Sequence, residues 1–252
     1  GVSVSDAKDL TALGQEGQNA FAFGQENAGG IHHLQRAVDA VEARAQGHHL
    51  QAAHVPHMLH VSDDISGAGG GAVRPVTIGT RVLYVLPKTG KLFDSAYDYS
   101  TDAFNGGDLC LIAEHLFENE QVIEMAYQQE PYGLLWVVLA SGKLLCLTYV
   151  QSESVCAWTQ MQTDGLVESV CAIPGAVRDE LFLVVNRSGV RYVEKMADRL
   201  ASNDPKDQFF VDCGRTYRND VAASVITGLS YLEGKEVAIL ADGKVQPKQT
   251  VT

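Results

Sequence analysis

Six consecutive apolar residues, LLWVVL from Leu134 to Leu139, sit between Pro131-Tyr132-Gly133 and Ser141-Gly142. The run is too short for an ordinary helix and is bounded by turn residues on both sides, so it reads as a strand. Side chains alternate across a sheet, so a strand that is apolar at every position needs cover on both faces. The surrounding stretch, VIEMAYQQEPYGLLWVVLASGKLLCLTY from Val122 to Tyr149, then reads as three strands joined by two turns.

The same grammar recurs on either side. Upstream lies VRPVTIGTRVLYVLPKTGKLFDSAY, Val73 to Tyr97, and downstream VESVCAIPGAVRDELFLVVNRSGVRYVEKM, Val167 to Met196. Each unit offers a first strand, a turn, an apolar middle strand (Val82 to Leu86, Leu134 to Leu139, Leu181 to Val185), a tight glycine turn and a third strand. The turn glycines Gly90, Gly142 and Gly189 are 52 and 47 residues apart, near the period of about 40 to 50 residues found in propeller blades. Val155 to Gln160 adds an outer strand to the middle unit, with Trp158 packing there. The expected fold class is mainly β: propeller-like antiparallel β-units, a few short helices and a small C-terminal β-unit. A plain antiparallel sandwich with look-alike hairpins is the alternative. Three units fall short of the roughly four to eight blades of a closed propeller.

The expected organisation is a Gly/Gln/His-rich N-terminal segment over 1–66, a Gly-rich joint over 67–72, a repeated β-domain over 73–197 and a small C-terminal β-unit over 198–252. Residues 1 to 30 are expected to hold irregular structure or marginal short elements. From Ile31, apolar positions at helical spacing (Leu34, Ala37, Val38, Val41, Ala45) end at Gly47, which predicts a helix with a glycine C-cap. Asp108 to Phe117, DLCLIAEHLF, predicts a second short helix capped by Asp108, with Leu109, Ile112, Ala113 and Leu116 as its apolar face. Near the C-terminus, Glu236 to Leu240 reads as a strand, Asp242-Gly243 as a hairpin turn and Lys244 to Gln246 as the start of the return strand, an edge awaiting a partner. The chain begins with Gly1 rather than Met, as a processed or truncated product would.

A formal net charge of −12 with 19 basic residues argues against a nucleic-acid-binding surface, which needs clustered Lys and Arg. No apolar run approaches the roughly 20 residues that span a bilayer. Five cysteines, Cys110, Cys146, Cys156, Cys171 and Cys213, form no close pair and no zinc spacing, and read as buried free thiols.

Seven of the eight histidines lie between His32 and His60, and His54, His57 and His60 have the spacing of a helical metal site. Pro56 disfavours a helix there, and no acidic or thiol ligand completes the set. Gly67 to Ala72 spells the dinucleotide fingerprint G-x-G-x-x-A, but a strand follows where the fingerprint needs a helix. Glu114 and His115 are adjacent on a helix and point apart. Asp63-Asp64 and Asp179-Glu180 fall at turns, where solvated charge is expected. No hydrolase, phosphate-binding or zinc-protease motif is present. The reading assigns no catalytic, cofactor or metal residues, and no enzymatic activity.

Several segments together carry a resemblance: YDYSTDAFNGGDLCLIAEHLF (Tyr97 to Phe117), IEMAYQQEPYGLLWVVLASGKLLCLTY, AWTQMQTDGLVESVCAIPG (Ala157 to Gly175), DELFLVV and ITGLSYLEGKEVAILADGKV. Over roughly Val73 to Val251 the chain resembles the tail tubular, or nozzle, proteins of short-tailed bacteriophages and prophages, with the motifs in the family's order. The resemblance implies a virion structural protein with propeller-like β-domains. It would assemble as a ring, commonly six-fold, below the portal and adaptor, with DNA leaving through the lumen without sequence-specific binding. It would be assembled in the host cytoplasm. A negative surface suits a channel that must not hold its cargo. The other function in view is a carbohydrate- or receptor-binding module at a tail tip, suggested by Tyr127, Tyr132, Tyr149 and Trp158.

Overall fold

The computed structural model describes residues 2–13, 73–198 and 212–252. The expected helix from Ile31 to Gly47, the histidines from His32 to His60, Asp63-Asp64 and the Gly-rich joint lie outside them. The chain is mainly β, with several small antiparallel sheets and few helices. The described residues fall into two compact units, one of 2–13, 161–166, 183–198 and 212–252, the other of 73–160 and 167–182. These limits cut inside the segment 73–197.

Strands β2 (Val76–Ile78), β3 (Arg81–Val85), β4 (Leu92–Asp98) and β5 (Ala103–Asn105) form one sheet in sequence order. Strands β6 (Val122–Gln128), β7 (Leu134–Leu139), β8 (Leu144–Val150) and β9 (Val155–Met161) form the next in the same manner. Strands β10 (Leu166–Ile173), β11 (Glu180–Arg187) and β12 (Val190–Lys195) make a third. The three apolar middle strands of the sequence are thus β3, β7 and β11. Their turn glycines all adopt positive φ, +67° at Gly90, +83° at Gly142 and +89° at Gly189, a conformation that side chains with a Cβ resist.

All six residues of β7 are buried. Leu135, Val137 and Leu139 join Leu145 and Leu147 of β8 and Leu83, Val85 and Leu92 of the preceding sheet in one core. At roughly 1.5–3 kcal/mol for each large apolar side chain removed from water, this core is the main stabilising term of its unit. Trp136 lies on the opposite face of β7 and its Nε1–H donates to Gln128 Oε1 at 3.0 Å. An all-apolar strand is therefore central in its sheet and covered on both sides.

The segment from Asp108 to Phe117 differs from the expected helix. Residues Leu111–Leu116 are 3-10 in type, broken at Ala113, whose φ of −120° is not helical. A three-residue turn stacks positions i and i+3, so Cys110 and Ala113 turn inward and are buried. Leu111 and Ile112 are thrown outward, Ile112 to 91% exposure. Asp108 Oδ1 accepts from the Cys110 N–H at 2.8 Å and so shapes the turn rather than capping a regular helix.

The N-terminal segment is the larger correction. Instead of irregular chain or marginal short elements, Val2–Leu13 forms a 12-residue strand, β1. It lies between β13 (Gly214–Ile226) and β14 (Glu236–Ala241), and β14 pairs in turn with β15 (Lys244–Thr250). Its ladder partners sit at the far end of the chain, Val2 opposite Ile226 and Leu13 opposite Ala238, which local patterning does not encode. The β14–β15 hairpin turns at Asp242 and Gly243 with φ of +47° and +77°, as a two-residue hairpin loop requires. β15 is an edge, but Pro247, Lys244 and Lys248 on it oppose strand addition. Cys213, Ile226, Leu229, Val237, Ile239 and Val251 build the core of this unit.

Gly106 is held against β4 so closely that a Cβ would overlap the carbonyl of Asp94. Gly106→Ala is expected to lower the urea midpoint clearly, whereas Gly107→Ala, with open space at its Cβ position, should leave it within about 1 kcal/mol of the parent.

Candidate interaction surface

Asp94 on β4 is the polar centre of its unit. It is 5% exposed, and its Oδ2 accepts from Arg81 Nη1 at 2.5 Å and from the Tyr149 hydroxyl at 2.7 Å. Its Oδ1 accepts from the Gly107 N–H at 2.8 Å, and its own N–H donates to the Gly107 carbonyl at 3.1 Å. One carboxylate therefore ties together β3, β4, the chain leaving β5, and β8 of the next sheet. Burial, and then the bond to Asp94, push the Tyr149 hydroxyl well above its ordinary pKa.

The clamp fixes the base of the β4–β5 hairpin, whose tip carries aromatic rings in water. Tyr97 lies directly opposite Phe104, with ring centres 5.2 Å apart at 68°, and Tyr99 meets Tyr97 edge-on at 4.8 Å and 88°. Such tilted contacts suit the ring quadrupoles. Exposure is 41% for Tyr97, 90% for Tyr99 and 44% for Phe104. The turn is internally bonded: Asp98 Oδ1 accepts from the N–H and hydroxyl of Ser100 at 2.9 and 2.7 Å, and Asp98 Oδ2 from Asn105 Nδ2 at 2.9 Å. These bonds, the Ser100 hydroxyl foremost, hold the Asp98 carboxyl below its ordinary pKa. The Tyr97 hydroxyl donates to Asp102 Oδ1.

The aromatics singled out in the sequence are mostly committed to packing. Tyr149 is buried, Tyr127 half-buried, and Trp158 packs edge-on against Phe117 while its Nε1–H donates to the Leu109 carbonyl at 2.8 Å. Tyr132 is 44% exposed. The exposed triad at Tyr97, Tyr99 and Phe104 was missed, although the alternation in FDSAYDY and the facing AFN carried a signal for it.

Among the acidic candidates in the described residues, Glu114 and Asp179 have partners within the fold. Glu114 binds Lys91 Nζ at 2.5 Å, and the adjacent His115 is exposed. Asp179, expected as solvated charge, accepts the N–H groups of Gln129 and Glu130 on Oδ2 at 2.7 and 3.1 Å, and its carbonyl accepts from Gln128 Nε2 at 2.8 Å. Turn N–H groups need acceptors, and Asp179 supplies them to the β6–β7 turn. Glu124 Oε2 likewise accepts from Ser169 Oγ and the Val170 N–H.

In the other unit, Arg187 is buried against Glu194, with Nε and Nη2 donating to Oε1 and Oε2 at 2.6 and 3.0 Å. Its Nη1 and Nη2 also reach the Asp164 carbonyl and Thr163 Oγ1. Asp212 Oδ2 stands 3.5 Å from Nη1, and Asp212 Oδ1 is buried without a donor among the described residues. The carboxylates around it hold Arg187 firmly protonated despite burial. Among the described residues, no group of three or more His, Cys, Asp or Glu is placed to hold a metal ion, and no helix is long and apolar enough to cross a membrane. No disulfide joins the five cysteines; Cys110, Cys146 and Cys213 are buried as expected, whereas Cys171 is half-buried and Cys156 exposed.

No protein-family model matches the chain, and no curated protein sequence matches it.

Arg187→Met, which leaves Glu194 and Asp212 without their cation, is expected to destabilise by about 3–5 kcal/mol; Arg187→Met with Glu194→Leu should cost less, as read from urea midpoints. Burial pushes the thiols of Cys110 and Cys213 from an ordinary value of 9.0 up to about 12. The fold therefore favours the protonated thiol, so this stability is full below the unfolded value near 9 and is lost as pH rises toward 12. Urea midpoints measured across that range should fall, and less steeply in the Cys110→Ala, Cys213→Ala double variant.

Proposed function

We propose that the protein is a virion structural component, a tail nozzle or tubular protein of a short-tailed phage or prophage, working through subunit contacts rather than through chemistry. The observation that carries this reading is the succession of three antiparallel meanders, β2–β5, β6–β9 and β10–β12, each built on an apolar middle strand followed by a positive-φ glycine turn. Blade-like units of this kind stack face on face, and the two-sided burial of β7 is what such stacking requires. The motifs shared with the nozzle family in its own order support the same reading. Within it, copies form a ring, six-fold as in that family, between portal and adaptor above and further tail proteins below. DNA crosses the lumen, and the chain's excess of 31 acidic over 19 basic residues repels the phosphate backbone rather than holding it.

The test is quantitative mass spectrometry on purified tail particles, with light scattering on the isolated protein. Six copies per particle, or a closed oligomer of the 27.2 kDa chain, is the expected result. Absence of the chain from particles overturns the reading.

A further inference from the structure

The β4–β5 tip has the composition of a contact surface, and its rings meet only one another among the described residues. Three aromatic rings are exposed on a hairpin whose base is anchored by Asp94, and they brace one another edge-to-face, so they are presented rather than loosely hung. Tyrosine is enriched among residues that dominate binding energy, because it offers a large, rigid area at low entropic cost. Charge identifies what the rings face. Between Lys91 and Lys143 the chain has nine carboxylates and no Lys or Arg. Several of these are neutralised from outside the stretch: Asp94 by Arg81, Asp108 and Glu114 by Lys91, Glu120 by Lys143. Asp98 and Asp102, which flank the rings, have hydrogen bonds within the hairpin but no Lys or Arg partner among the described residues.

We infer that the β4–β5 tip is a docking site for an arginine-bearing segment of a different protein. A guanidinium laid on the Tyr99 ring gains cation–π attraction while its N–H groups reach the outer lone pairs of Asp98 or Asp102, and its planar fork suits that geometry better than an ammonium. The chain's own net charge of −12 favours a basic partner over a second copy at this tip, and contacts elsewhere that close a ring are unaffected. The site is independent of ring assembly, so it stands or falls separately from the nozzle reading.

The probe is a fluorescent peptide carrying three arginines spaced by Gly-Ser, with its citrulline and lysine counterparts, followed by anisotropy at about 0.15 M salt, where long-range attraction is screened. The arginine peptide should bind more tightly than the lysine peptide, and the citrulline peptide weakly. Tyr99→Ser, which alters an almost fully exposed side chain and no charge, should weaken arginine-peptide binding by about threefold to tenfold, as should Asp98→Asn. Glu118→Gln, an exposed carboxylate away from the tip, should not. Equal binding by the parent and Tyr99→Ser means attraction to net charge alone and overturns the proposal. So does binding of maltoheptaose that is lost in Tyr99→Ser while the arginine peptide is unaffected, which would make the tip a glycan site.

Discussion

The carboxylate of Asp94 is the constraint on which its unit depends. Buried charge is tolerated only when it is compensated and its lone pairs are bonded, and Asp94 satisfies this with Arg81, Tyr149 and the Gly107 N–H. Because these donors belong to β3, β8 and the chain after β5, satisfying one side chain fixes the spacing of two sheets and the base of the exposed hairpin. Gly106 is small for the same reason: the chain must pass against the Asp94 carbonyl to deliver the Gly107 N–H. Electrostatics and close packing here are a single requirement.

The other unit is arranged around a similar device. Arg187 gathers Glu194, Thr163, the Asp164 carbonyl and Asp212, which come from separate stretches of sequence. Neither centre presents its charge to solvent. Both join pieces of chain that hydrophobic burial alone would leave free to slide, since apolar contacts are non-directional. The exposed chemistry is elsewhere, at the β4–β5 tip, where rings and carboxylates face water on a base that Asp94 holds still.

Much of the local fold was legible. The six-residue apolar run marked β7 with its observed limits, Leu134–Leu139, because a run that short and apolar between two turns suits a strand and not a helix. Gly90, Gly142 and Gly189 marked turns because the backbone there needs positive φ. Asp242-Gly243 marked the last hairpin for the same reason. The helix from Asp108 was misread because 3-10 and α spacing differ by less than one residue per turn, and only packing of Cys110 and Ala113 selects between them.

What the sequence by itself determined is the strands of the repeated units and of the last hairpin, their glycine turns and the mainly β class, since these follow from short-range sterics and alternation; β1, β5 and β13 carried no such pattern. What only the tertiary structure decided is which distant groups meet: β1 between β13 and β14, Arg81 and Tyr149 on Asp94, Asp179 on the β6–β7 turn, and Tyr97 opposite Phe104 in the open. A carboxylate reads the same in sequence whether it will be solvated or buried. Its role is settled by the donors that the folded chain brings within hydrogen-bond reach, and periodicity carries no record of them.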